Sequence, residues 1–366
     1  REINASWACS NGIVFFIRTV FWLYKSILHR WQRLAIRDFV KVQSSTIENK
    51  YLRVKSINIG ACLYEVYDKQ RKINLILNLG PTKNYGSKNF YVGATCGRYA
   101  GRISNSRFKI KNKIYKLDSN EGKNTLHGGK IGFDRLEWKI KNHSKNKIIY
   151  QLLSKDLDQG FPGELYSECI FEIKNKSLFI KYQYKSSELT HVSLTNHSYW
   201  NLNKSKKETI FNHDLKINSE KYLEVTNKLI PTGKIKKVKN TINDFNKFQN
   251  IGKKIKIIKN KKIKRVSNTI NQLGFDLTYC IKKNSKNYLA SLKNKKTNIQ
   301  LDLYSNFPGV QLYTAQGLRY KNKLAPYQGV CLETQHYPDA PNNKNFPSTL
   351  IKPKKLYKYF TKINIS

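Results

Sequence analysis

Cys331-Leu332-Glu333-Thr334-Gln335-His336-Tyr337-Pro338-Asp339-Ala340-Pro341-Asn342 runs from an apolar stretch into a cluster of turn formers. Successive side chains of a β-strand point to opposite faces, so Val330 and Leu332 share one face and Glu333 falls on the other, beside Cys331. The prolines that follow fix φ and lack a backbone donor, which ends the ladder. The stretch therefore reads as a strand that closes at a rigid sheet rim with a lone carboxylate at its end, a position suited to a base.

The same texture extends back through most of the chain. Tyr51–Ile57, Ala61–Val66, Asn74–Leu79, Arg107–Ile110, Ile148–Leu153, Cys169–Ile173, Ser177–Tyr184, Val192–Leu194, Tyr288–Leu292, Ile299–Tyr304 and Gly309–Tyr313 are short apolar or alternating runs between Gly, Asn, Asp, Ser and Pro. No long amphipathic helix alternates with them, which argues against a parallel α/β sheet. The expected fold class is all-β, one large antiparallel β-sandwich spanning residues 41–366. Residues 1–40 are more helix-like and form an N-terminal extension. The Lys-, Ile- and Asn-rich stretch Asn250–Asn271 reads as an elaborated surface loop.

The chain has 366 residues, 39% of them hydrophobic, enough for a sizeable core. With 68 Lys and Arg against 24 Asp and Glu, the formal net charge is +44. The lysines recur through the whole chain with Asn and Ile instead of clustering, so the favoured reading is a solvated basic surface, with no specific nucleic-acid partner. Cysteines at 9, 62, 96, 169, 280 and 331 form no CxxC pair and no zinc-like spacing, and read as free, mostly buried thiols of a reducing, cytoplasmic compartment. Residues 12–28 are apolar but interrupted by Arg18 and Lys25, which favours a docked amphipathic helix over a membrane anchor. Arg at position 1 and the absence of Met imply that the true start of the protein is missing.

Five further segments place polar groups at strand ends or turns. Gly97-Arg98-Tyr99-Ala100-Gly101-Arg102-Ile103 offers two guanidinium groups, at least one of which is expected to face a concave site. Asn124-Thr125-Leu126-His127-Gly128-Gly129 sets a histidine before two glycines that permit close backbone approach. His197 lies in Leu194-Thr195-Asn196-His197-Ser198-Tyr199-Trp200, Asp276 in Gly274-Phe275-Asp276-Leu277-Thr278-Tyr279, and Gln311 in Pro308-Gly309-Val310-Gln311-Leu312-Tyr313. Taken singly, each has a plainer explanation: a core histidine, a turn cap, a surface charge. Their joint presence carries the weight.

These segments, with Asp158–Glu164 and Leu332–Asn342, resemble in order those of the aldose 1-epimerases, also called galactose mutarotases. The resemblance covers residue 47 to the C-terminus and implies the mutarotase supersandwich, an antiparallel β-sandwich with an open cleft for one sugar. It implies the interconversion of the α- and β-anomers of free aldohexoses such as galactose and glucose, with no metal or redox cofactor. By this resemblance Glu333 is the general base at the C1 hydroxyl and His197 the general acid at the ring oxygen, the roles exchanging on ring closure. His127 stands near the ring oxygen or C1 and shares in the acid role, Asp276 and Arg102 bind sugar hydroxyls, and Gln311 is a polar neighbour of the base. Trp200 or Phe161 stacks on the sugar. Such chemistry requires burial to bring the carboxyl and the imidazole both closer to working pH. Gly101 departs from the Asn common in the family, and Trp200 from the commoner Phe. The same fold also serves hexose-phosphate 1-epimerases and non-catalytic sugar-binding domains; the retained Glu333 and His197, and the lack of an Arg or Lys cluster in these segments, favour the free-sugar enzyme.

Overall fold

The computed structural model describes residues 41–85, 91–260, 273–282 and 287–366. The expectations for residues 1–40, including the helix at 12–28 and the thiol of Cys9, lie outside these. Among the described residues, short antiparallel strands dominate. Nine form the largest sheet, in the spatial order Lys139–Ser144, Lys147–Ser154, Leu165–Lys174, Ser177–Ser186, Tyr357–Ile365, Ile299–Ser305, Tyr288–Asn294, His213–Ile217 and Gln249–Asn250. Alternation is clear in three of its strands: Ile148, Tyr150 and Leu152 are buried, as are Leu178, Ile180, Tyr182 and Tyr184, and Ile299, Leu301 and Leu303. The edge strand Lys139–Ser144 is exposed throughout and carries Lys139 and Lys141, the charged rim that discourages pairing with another chain.

A second sheet runs Pro231–Lys237, Lys221–Val225, Asp276–Cys280, Gly309–Tyr313 and Cys331–Gln335, with Cys331–Gln335 at its rim, as its sequence suggests. The register across its last three strands sorts the side chains by face. Leu277, Leu312 and Leu332 are direct cross-strand neighbours and join the main core cluster. One residue further, Thr278, Gln311 and Glu333 form the parallel row on the opposite face. Each buried Leu of the inner row contributes about 1.5–3 kcal/mol, which fixes the register, because a slip of one residue would send the polar row into the core. A four-stranded sheet, Ser44–Glu48, Leu52–Ile57, Cys62–Asp68 and Ile73–Asn74, contributes Val54 and Leu63 to the same cluster, which also holds Tyr150 and Phe171 of the nine-stranded sheet. The architecture is a large antiparallel β-sandwich built around one shared core.

The structure corrects the expected loop at Asn250–Asn271. Ile251–Asn260 is an α-helix, and the remainder of that stretch lies outside the described residues. Asn250 caps it, its side-chain oxygen accepting the Lys253 backbone N–H at 2.9 Å, three residues into the helix. Ile251, Ile255 and Ile258 recur on one face and are buried. Lys254 lies on that face as well: its stem is buried while Nζ reaches the Ile242 carbonyl at 2.8 Å and sits over the Phe245 ring. The isoleucine spacing is helical, but the surrounding lysines and asparagines disguise it.

Among the described lysines and arginines only Arg98 and Lys254 are buried, in keeping with a solvated basic surface. Five described cysteines are free thiols, four of them buried. No described helix is long and apolar enough to cross a membrane.

The helix makes a direct contrast testable. Replacement of buried Ile255 by Ala should cost about 2–5 kcal/mol in urea unfolding. The same change at Ile257, which is 41% exposed, should stay within about 0.5 kcal/mol.

Candidate active site

The polar row of the rim sheet floors a cleft with a cavity of ≈ 190 Å³. Glu333, His197, Arg102, His127, Asp276 and Gln311, all six residues singled out in the sequence, line it together. They arrive from three directions. The rim sheet carries Asp276, Gln311 and Glu333. The pair Thr195–Asn196 with Thr95–Cys96 carries His197 just beyond its end, with the His197 N–H bonded to the Ala94 carbonyl at 2.8 Å. The third source is the pair Arg102–Ile103 with Thr125–Leu126, which sets Arg102 beside the turn that carries His127.

That turn shows why two glycines follow His127. Gly128 has φ +94°, and a Cβ there would lie 1.9 Å from the Gly97 carbonyl oxygen. The packed turn brings the Gly101 N–H to His127 Nδ1 at 3.2 Å, while the His127 N–H donates to the Gly101 carbonyl at 3.0 Å. An Nδ1 that accepts from an amide carries no proton, so the neutral ring holds its proton on Nε2, toward the cleft. Burial, with His197 and Arg102 nearby, depresses the His127 pKa well below the histidine range. His127 is thus a fixed donor, poorly suited to accept and return a proton. Nitrogen and oxygen atoms of His127, His197 and Glu333 lie within 4.8 Å of one another, a spacing that would suit a metal ion. A metal-bound imidazole, however, donates from its far nitrogen. The Gly101 amide reserves the far nitrogen of His127 as an acceptor, which disfavours a metal ion on its Nε2.

Glu333 is buried, and its Oε2 has no hydrogen-bond partner. Its Oε1 lies 3.6 Å from His197 Nε2. Burial, reinforced by the charge of Asp276 and opposed by Arg102, raises the Glu333 carboxyl well above the usual carboxylate range. Burial pushes His197 the other way, down to about 4. The expectation that both groups move toward working pH is therefore met by Glu333 and contradicted by His197, because desolvation penalises whichever form is charged. Asp276 is also raised by burial, but Arg102 and a 2.6 Å bond from Gln311 Nε2 favour its charged form. Thr278 Oγ1 donates to Gln311 Oε1, so the Gln311 amide is clamped at both ends. Arg102 is held in a two-pronged contact with Glu121, Nε to Oε2 at 2.6 Å and Nη2 to Oε1 at 2.7 Å.

Of the two arginines, only Arg102 reaches the cleft. Arg98 is buried and does not line it; its guanidinium donates to the carbonyls of Ser154, Lys155, Phe161, Pro162 and Gly163 and to the Ser154 hydroxyl. It holds that segment in place. Trp200 and Phe161, expected to stack on a ligand, are core residues that do not line the cleft. The aromatic lining comes instead from Tyr91, Tyr199 and Tyr313. Sequence reasoning missed these, together with Thr278 and Gln335. Applying the two-residue strand period to each candidate finds Thr278 from Asp276, Tyr313 from Gln311 and Gln335 from Glu333. Nothing in the sequence marks Tyr91. His336 and Asp339 support the site from outside the cleft: His336 packs edge-on against Phe307 and Tyr359, and Asp339 accepts the Ser104 N–H at 3.0 Å while its own N–H bonds the Arg102 carbonyl.

The profile of the aldose 1-epimerase family matches residues 43–364 of the chain. Galactose mutarotase from Sus scrofa is 34% identical over 330 residues, 87% of this chain and 93% of the relative. Aldose 1-epimerase from Haemophilus influenzae is 32% identical over 84% of this chain and 90% of its own length. Among solved structures, a GalM/aldose epimerase homologue from C. elegans superposes with a TM-score of 0.80 at 25% identity, covering 89% of this chain and 99% of that one. Galactose 1-epimerase from Lactobacillus acidophilus gives 0.79 at 26% identity, over 90% and 96%. The protein is thus an isomerase on a sugar-binding β-sandwich. It belongs to the aldose 1-epimerase family, enzymes that interconvert the α- and β-anomers of aldoses.

The buried carboxyl leaves a signature in stability. The folded pKa of Glu333 lies above its unfolded value near ~4.3, so its contribution is fully present below the unfolded value and is lost as pH rises through the folded one, at ~1.36 kcal/mol for each pH unit that separates the two. Glu333→Gln, neutral throughout, should melt at a higher temperature than wild type at pH 8. The difference should disappear near pH 4 in thermal unfolding followed by circular dichroism.

Proposed function

We propose that Glu333 and His197 open and close the pyranose ring of a free aldohexose such as galactose or glucose by passing protons between themselves and the sugar. The observation that carries this reading is the buried, partnerless Oε2 of Glu333, in a carboxyl that faces His197 Nε2 across 3.6 Å of an open cleft. A buried oxygen without a partner is costly, and a sugar hydroxyl would relieve it.

In the ring-opening step the Glu333 carboxylate takes the proton of the C1 hydroxyl and the His197 imidazolium gives one to the ring oxygen. The bond between C1 and the ring oxygen breaks as the C1 carbonyl forms. Rotation about C1–C2 then presents the other carbonyl face. The new hydroxyl closes on it, giving its proton to neutral His197 while Glu333 returns a proton to the former carbonyl oxygen. Across the cycle the pair keeps one proton in total, as carboxylate with imidazolium or as carboxylic acid with neutral imidazole. Raising Glu333 and lowering His197 favours the second arrangement, the one that closes the ring, and the pair titrates as a unit.

His127 supplies a fixed N–H to an oxygen at the reacting end. Asp276 and Arg102 bind sugar hydroxyls, and Gln311 bears on the sugar chiefly by aiming Asp276. Tyr91, Tyr199 and Tyr313 offer the apolar walls. Arg102 is the one Arg or Lys among the described lining residues, and Glu121 already occupies it, which favours a neutral sugar over a phosphorylated one. We assign the catalytic domain to residues 41–366, consistent with a family match that starts at residue 43. A cytoplasmic location is supported by the free, largely buried thiols.

Polarimetry on fresh α-galactose tests the base. Glu333→Gln should lower kcat by about 10²-fold or more while KM moves by no more than a few fold; near-normal anomerisation would sink the assignment. The wild-type rate above background should follow a bell-shaped pH profile. The acid limb comes as the pair takes a second proton, with His197 lowered to about 4. The alkaline limb comes as Glu333, raised above the usual carboxylate range, gives up the last one. A profile without an alkaline limb counts against the shared proton.

A further inference from the structure

The strand that carries Glu333 also carries Cys331 two residues earlier, on the same face by the strand period. Its sulfur lies 3.5 Å from His197 Nδ1, the ring nitrogen turned away from the cleft. Both residues are buried, and Cys331 is wholly enclosed. The other ring nitrogen, Nε2, faces Glu333 at 3.6 Å. Thus one short strand touches both ends of the imidazole.

Ring opening and closure require Nε2 to alternate between bearing a proton and offering a lone pair. That is achieved only if Nδ1 keeps its proton in both states. A buried N–H with no acceptor would cost about 1–3 kcal/mol, which favours moving the proton to Nε2 and leaving the ring unable to take one from the sugar. A thiol sulfur is a weak acceptor that suits a contact of this length. His127 provides the contrast, since the Gly101 amide forces its proton onto Nε2 and leaves it a permanent donor.

We propose that Cys331 is a positioning residue for the epimerase reaction, its sulfur accepting the Nδ1–H of His197 and holding that ring in the tautomer whose Nε2 lone pair faces the sugar. The inference rests on the proton-shuttling role given to His197. The two histidines are thereby set in opposite tautomers by their second contacts, a backbone amide for His127 and a sulfur for His197. Cys331 itself touches neither substrate nor reacting atoms.

The test uses long-range ¹⁵N–¹H spectra of the full chain labelled at its 7 histidines, with His197 identified by the loss of its signals in His197→Gln. In wild type at pH 7, His197 should show a protonated Nδ1 and a bare Nε2, and His127 the reverse. Cys331→Ala should shift His197 toward the Nε2–H form and lower kcat by about five- to tenfold with KM little changed, the loss of roughly 1 kcal/mol. Cys331→Ser, which restores an acceptor, should recover part of both. A wild-type His197 with bare Nδ1 overturns the role of Cys331, as does a Cys331→Ala enzyme whose tautomer or kcat is unchanged. Full turnover by His197→Gln would instead overturn the assignment of His197 itself, so the two failures are separable.

Discussion

The molecule depends on how three neighbouring strands divide their side chains between two faces. Leu277, Leu312 and Leu332 lock one face of the rim sheet to the core. With that row fixed, Thr278, Gln311 and Glu333 have no choice but to face the cleft, and Asp276, Tyr313 and Cys331 fall on the same side. The positions of the Glu333 carboxyl, of Gln311 beside Asp276 and of the Cys331 sulfur behind His197 all follow from one hydrophobic register. Apolar burial here serves chemistry directly, because the energy holding the leucines in place is what keeps a desolvated carboxyl from turning back toward water.

Desolvation then does the electrostatic work. It raises Glu333 and lowers His197, and the two shifts together bias the pair toward a neutral state holding a single proton. Around this pair three further polar groups are already committed. Gln311 is clamped between Thr278 and Asp276, Arg102 is seated on Glu121, and His127 is bound through Nδ1 to the Gly101 amide. Such prior commitments reduce the reorganisation needed when a sugar arrives. They also explain why residues as distant in sequence as Gly101 and Asp339 are joined to the same small region.

Much of this was legible in the chain, and the exceptions have physical reasons. Alternation and turn formers announce the strands, and the polar residues to which the motifs gave a role at the sugar all lie in the cleft. The helix Ile251–Asn260 was hidden because three isoleucines at helical spacing are diluted by lysine and asparagine, and its stability comes from packing that local pattern does not reveal. Arg98 and Arg102 look alike in sequence. They are separated only by tertiary structure, which surrounds one with carbonyls and opens the other to the cleft. Trp200 was a natural choice for stacking by its size, yet a large apolar ring is worth more in the core, and the tyrosines, which tolerate a partly wet wall, take the cleft. Tyr91 enters through a loop and leaves no periodic trace.

The surface and the cleft of this protein obey different rules. Outside, lysine is everywhere, yet only Lys254 and Arg98 among the described cationic residues are taken inside, and neither lines the cleft. Inside the cleft, the single guanidinium of Arg102 is answered by Glu121 and lies near Asp276. A substrate without charge is neither drawn in nor turned away by the field of the exterior. A lineage whose composition drifts toward lysine can therefore recolour the whole outer surface of such an enzyme while selection on its catalysis scarcely registers the change.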